Sequence, residues 1–82
     1  MKLLLAGKAE RDLNKLDNNI RRRLVKALEK LTEKPENLDI KKLKGMEIFR
    51  LRVGDYRINF EINKETKTIV VLQVRHRRES YR

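Results

Sequence analysis

The chain has 82 residues, no cysteine and one histidine, and its 22 basic residues against 12 acidic ones give a net charge of +10. That length suits one domain, residues 1–82, with a small core and modest stability. Without cysteine there is no disulfide and no thiolate metal site, a lone histidine argues against zinc, and no apolar run reaches the length of a membrane span.

Residues 2–6 predict a short first strand. Their apolar run is too short for a signal peptide and charged residues follow at once, so the expected location is the cytoplasm. Residues 8–16 predict a helix with Ala9, Leu13 and Leu16 on one face. Asp17 is the candidate N-cap of a second helix, in which Ile20, Leu24, Ala27, Leu28 and Leu31 form the apolar stripe. Pro35 ends that helix, because proline lacks an N–H and restricts the residue before it. Arg21, Arg22 and Arg23 are consecutive and fan around the helix, which favours a solvated surface over a single binding patch.

Residues 35–46 read as a connector. Its Lys41-Lys42-Leu43-Lys44-Gly45 segment is basic, and Leu43 is its expected apolar anchor under the sheet edge. The stretch from Phe49 to Phe60 then reads as two strands joined at Gly54-Asp55. A two-residue turn leaves one register: Val53 opposite Tyr56, Arg52 opposite Arg57, Leu51 opposite Ile58 and Arg50 opposite Asn59. Alternation puts Phe49, Leu51, Val53, Tyr56, Ile58 and Phe60 on a core face, and Arg50, Arg52, Arg57 and Asn59 on the other. Like charges facing each other destabilise a ladder, so the Arg52–Arg57 pair suggests a patch kept for an anionic ligand. Residues 63–67 form a polar turn. The β-branched run 68–74 reads as an interior strand, apolar on both faces. The fold class is therefore α+β in the order β-α-α-β-β-β, with a helix hairpin packed on a small antiparallel sheet.

The charge follows the same division. Residues 1–40 hold 10 basic and 7 acidic residues, and residues 41–82 hold 12 and 5. A basic half implies an anionic partner, whether nucleic acid, an acidic protein segment or a membrane surface.

The basic connector, the Arg50–Phe60 stretch with its Gly54-Asp55-Tyr56-Arg57 turn, the apolar strand, and the tail His76-Arg77-Arg78-Glu79-Ser80-Tyr81-Arg82 together resemble the RelE/ParE superfamily of toxins from toxin–antitoxin pairs. The likeness covers nearly the whole chain, and the tail looks more like the RelE branch. It implies a ribosome-dependent mRNA endonuclease without metal or cofactor, partnered by a cognate acidic antitoxin, the ribosome and mRNA, with no membrane association. The alternatives are a ParE-type poison of DNA gyrase and a non-catalytic nucleic-acid-binding relative. By this resemblance Arg50 and Arg52 flank the scissile phosphate and Arg57 contacts it. Arg77 stabilises the transition state and Tyr81 acts on the 2′-hydroxyl. Lys41, Lys42, Lys44 and Arg78 are the candidate RNA-binding cations. The sequence departs from the family at Arg75, where glycine is common, which implies a different angle for the tail. It also carries Arg where Lys is common at positions 50 and 52. Arginine hardly ever loses its proton, so those two suit phosphate binding rather than proton transfer.

RNA cleavage by its own 2′-oxygen gathers charge on the phosphoryl oxygens, which guanidinium donors stabilise, and needs a base for the 2′ proton. An arginine cluster would favour the Tyr81 phenolate. The alternative is that Tyr81 only pins the tail to the core. His76 is the runner-up acid or base. Glu61 is a weaker candidate base and otherwise a salt-bridge partner for a neighbouring arginine.

Overall fold

The computed structural model describes residues 1–43 and 47–78. Strand β1 (Lys2–Leu5) leads into helix α1 (Gly7–Asn14) and helix α2 (Asn18–Glu33). Strands β2 (Asp39–Lys42), β3 (Ile48–Val53), β4 (Tyr56–Asn63) and β5 (Thr68–His76) follow. The expected α+β order holds, with one strand more than the sequence predicted. The Asp17 carboxylate accepts from the Asn19 N–H at 2.7 Å and caps α2, as expected. α2 stops at Glu33, and Pro35 opens a single 3₁₀ turn, Pro35–Asn37.

The five strands lie in the order β1-β5-β4-β3-β2. Two features correct the expected antiparallel sheet. β1 runs parallel to β5, with Leu3 opposite Ile69 and Leu5 opposite Val71, so the sheet is mixed. Part of the expected connector is the edge strand β2, paired antiparallel to β3. Its lysines hid it, yet an exposed edge is where lysine is useful, because charge discourages pairing with another chain. Leu38 and Ile40, rather than Leu43, pack against the core from this segment.

Both helices cover one face of the sheet. Ala9 and Leu13 of α1 and Leu24, Ala27, Leu28 and Leu31 of α2 are buried against Leu51, Ile58, Phe60, Ile69, Val71 and Val74. Phe49 and Phe60, opposite each other on β3 and β4, stack with ring centroids 5.6 Å apart. β5 is the interior strand the sequence predicted, and it extends through Arg75 and His76.

β5 outruns its parallel neighbour. β1 pairing ends at Leu5–Val71, and the Ala6 N–H donates to the Val71 carbonyl at 2.8 Å. Beyond that point α1 takes over the edge, where Asp12 Oδ2 accepts from the Val74 N–H at 3.0 Å. Burial alone would push the Asp12 carboxyl up. The Val74 N–H and the nearby Lys8 ammonium, 3.0 Å away, outweigh it and hold the carboxyl below its usual value.

Candidate active site

The β3–β4 hairpin has the register its turn dictates, from Val53 opposite Tyr56 to Arg50 opposite Asn59. Gly54 has φ +58°, while no positive φ occurs at Asp55, the pattern of a II′ turn with glycine first. Because Leu51, Ile58 and Phe60 are buried under the helices, Arg50, Arg52 and Arg57 project from the opposite, open face.

β5 adds a residue from beyond the strand the sequence predicted, which ended at residue 74. Arg75 lies opposite Arg57, so Arg52, Arg57 and Arg75 stand abreast on three adjacent strands, with Asp39 beyond Arg52 on β2. Neighbouring strands are about 4.8 Å apart, so the three guanidinium stems span about 10 Å. The next row is Lys41, Arg50, Asn59 and Gln73. A β-bulge explains why Arg75 faces outward. Phe60 pairs with Val71 but Asn59 with Gln73, which leaves Leu72 surplus. The inward residues switch from Ile69 and Val71 to Val74, and Arg75 moves to the open face.

Past His76 the chain holds the same register for one more residue. The Arg77 N–H donates to the Asp55 carbonyl at 2.6 Å, and the guanidinium lies 4.0 Å from the Asp55 carboxylate. Alternation puts Arg77 on the face of Arg57 and Arg75. His76 points the other way, toward the helices, and meets Tyr56 edge-on with centroids 5.1 Å apart. It lines a recess with Lys8, Asp12, Lys15 and Leu16. The structure thus separates His76 from the arginine row. A further cation approaches from α2: a Cβ added at Gly54 would sit 3.3 Å from Arg23 Nη2.

The other sequence candidates divide. Lys41 shares a row with Arg50. Lys42 pairs with Phe49, on the helix side of the sheet, and its ammonium lies 3.6 Å from Glu47. Glu61 lies between Ile48 and Val70, beyond the row that holds Asn59. Arg78 is exposed, next to the Asp55 turn. Lys44 and Tyr81 lie outside the described residues.

A family model described as the ParE toxin of type II toxin–antitoxin systems matches residues 3–81. The chain is also 37% identical over 86 residues to Toxin RelE3 of Methanocaldococcus jannaschii, covering 99% of this chain and 96% of the relative. The chain belongs to the RelE/ParE toxin family. Its fold matches the RelB–RelE antitoxin–toxin complex of Methanococcus jannaschii with a TM-score of 0.79 at 35% identity, over 95% of this chain and 94% of that one. It matches the archaeal RelE–RelB complex of Pyrococcus horikoshii OT3 with a TM-score of 0.80 at 27% identity, over 93% of each chain.

Within this RelE/ParE fold, the strand arginines and Arg77 converge on one end of the open face. Sequence reasoning missed Arg75 and Arg23 as members of this charged end. The signal for Arg75 was its even spacing, four positions, from the inward Val71, which only a bulge reconciles with an outward side chain. For Arg23 no local signal existed, since its approach to Gly54 depends on how α2 lies across the sheet. No helix among the described residues is long and apolar enough to cross a membrane.

Proposed function

We propose that this RelE/ParE-family toxin is a ribosome-dependent endoribonuclease that cuts mRNA by attack of a 2′-hydroxyl on the adjacent phosphate. The observation that carries the reading is the row Arg52, Arg57 and Arg75, with Arg77 held one register step further on the same face. Such a row costs stability in a ladder and suits a phosphate that gains charge in the transition state. Arg50, Arg52 and Arg57 bind the scissile phosphate and Tyr81 takes the 2′ proton; as the 2′-oxygen bonds to phosphorus and the bond to the 5′-oxygen breaks, Arg77 stabilises that oxygen by hydrogen bonds and it gains its proton from water. Lys41 and Arg78 hold neighbouring phosphates and Lys44 adds charge to the RNA path, whereas Lys42, on the helix side of the sheet beside Glu47, lies off it. Guanidinium groups donate hydrogen bonds but barely exchange protons, so the base has to lie outside the arginine set.

The ribosome supplies the substrate in place. A site without a strong base of its own gains most from a substrate held with the 2′-oxygen in line, and such positioning can contribute about 7–11 kcal/mol. The +10 charge also fits an acidic antitoxin that covers the arginine face, in keeping with the RelB partners of the solved relatives. The expected compartment is the cytoplasm, where translating ribosomes are.

The ParE description of the matching family model favours a second reading, a gyrase poison without nuclease activity. Induction of the chain in cells separates the two. The proposal expects translation arrest with mRNA cut at codon positions in the ribosomal A site. Growth arrest accompanied by DNA breaks and intact mRNA would replace it with the gyrase reading.

A further inference from the structure

Two successive amides past the last β4–β5 pair have different partners. The Arg77 N–H continues the sheet by donating to the Asp55 carbonyl at 2.6 Å. The Arg78 N–H turns back and donates to His76 Nδ1 at 3.2 Å. The imidazole that receives it is half-buried and braced edge-on against Tyr56 at 5.1 Å. The ring is therefore held from one side by packing, and its Nδ1 holds the chain where it departs from the sheet.

We infer that His76 is a positioning residue: its neutral imidazole, through Nδ1, fixes the Arg77–Arg78 turn at the end of β5 and so keeps Arg77 on the arginine face. This rests on the nuclease reading. An imidazole nitrogen accepts a hydrogen bond only when it carries no proton, so the neutral ring has its proton on Nε2. Protonation converts Nδ1 into a donor, and the Arg78 N–H loses its partner. Lys8 of α1 and Lys15 at that helix's C-terminal end share the recess of the imidazole, Arg75 and Arg77 flank it in the chain, and Arg78 follows. Asp12 of α1 and Asp55 of the turn are the opposing anions, and Tyr56 of β4 is neutral. His76 acts through the backbone of Arg78 and touches no reacting atom.

Two substitutions separate positioning from packing. His76→Phe keeps an aromatic ring against Tyr56 and removes the acceptor. His76→Asn supplies a side-chain carbonyl that accepts from the N–H two residues on, as in an Asx turn, and does not titrate. Misplacing a catalytic group by about 1 Å can cost about 10²-fold. The expected results follow for single-turnover cleavage of ribosome-bound mRNA with full-length toxin. His76→Phe loses about 10–100-fold in rate with its thermal midpoint within a few degrees of wild type, by the same argument. His76→Asn recovers most of the rate and flattens the wild-type decline on the acid side of neutrality. A wild-type rate in His76→Phe, or an unchanged acid decline in His76→Asn, overturns the inference. A second readout needs no cleavage. The ¹⁵N–¹H signal of the Arg78 amide should titrate with the imidazole in the wild type and stay flat in His76→Asn. An Arg78 signal indifferent to imidazole protonation overturns the inference even if cleavage is normal. A titrating signal in a toxin that never cuts mRNA upholds the amide contact and sinks the nuclease reading instead.

Discussion

Asp12→Ala is the substitution that most directly probes how the arginine face is held. Asp12 Oδ2 is the acceptor for the Val74 N–H at the point where β5 extends past β1, and its side chain is 14% exposed. Removing it strands a β5 amide at the covered edge of the sheet. A hydrogen bond to a charged group contributes about 1.5–3 kcal/mol net. The Lys8 pair adds little, about 0.3–0.5 kcal/mol for an i,i+4 contact with an exposed partner. The expected cost is about 2 kcal/mol, which for a chain of this size lowers the melting temperature by about 8–16 °C. Asp12→Asn keeps an oxygen acceptor but loses the charge, and about half that cost is expected. The pH dependence follows from the sign of the shift. Burial opposes the carboxylate, but the Val74 N–H and Lys8 outweigh burial, so the folded-state value lies below the unfolded one. The contribution is fully present above the ordinary aspartate value of about 4 and disappears as pH falls through the folded value. Urea unfolding of wild type and Asp12→Asn at pH 7, 5, 4 and 3 should give a gap that is constant down to pH 5 and narrows below 4. An Asp12→Ala midpoint equal to wild type, or a gap that persists unchanged to pH 3, would refute the reasoning.

Arg52→Ala should abolish mRNA cleavage while leaving the thermal midpoint unchanged or slightly raised, because it removes one member of a like-charge pair that costs about 0.2–1 kcal/mol; a cleavage assay beside a melting curve checks both. Gly54→Ala should destabilise by about 1–2 kcal/mol in urea, since φ is +58° there and Arg23 stands over the turn. Tyr81→Phe should lower cleavage by about 10²–10⁴-fold, the usual range for general acid–base catalysis, with ribosome binding unchanged in a pelleting assay.

The hairpin was the most legible part of the fold. Gly54-Asp55 admits a two-residue turn, and once that turn is accepted every cross-strand pair from Val53–Tyr56 to Arg50–Asn59 follows. The helix faces were legible for a similar reason, since Leu24, Ala27, Leu28 and Leu31 repeat at the helical period. What the sequence hid were pairings without a local signature. Residues 2–5 lie parallel to residues 68–71, more than sixty positions away, and no turn joins them. β2 has one strong inward residue, Ile40, among polar neighbours, too little alternation to stand out from a loop. The site was legible to the extent that it depends on the hairpin, hence Arg50, Arg52 and Arg57. Arg75 was hidden because six consecutive apolar or amide residues, 69–74, mask the change of parity at Leu72. His76 entered the sequence reading as the runner-up acid or base; alternation along β5 turns it away from its arginine neighbours, and its grip on the Arg78 amide depends on where β5 stops.

Cleavage by the chain's own arginine face without metal requires the 2′-hydroxyl of the scissile nucleotide as nucleophile. The decisive measurement is single-turnover cleavage of two mRNAs on programmed ribosomes, identical except for a 2′-deoxy substitution at that one nucleotide, with wild type and Arg77→Ala. The account predicts that wild-type toxin cuts the ribose mRNA to a product ending in a 2′,3′-cyclic phosphate, leaves the deoxy mRNA intact, and loses at least about 10²-fold in rate with Arg77→Ala. Cleavage of the deoxy mRNA at the same rate, or no cleavage of either, would contradict it.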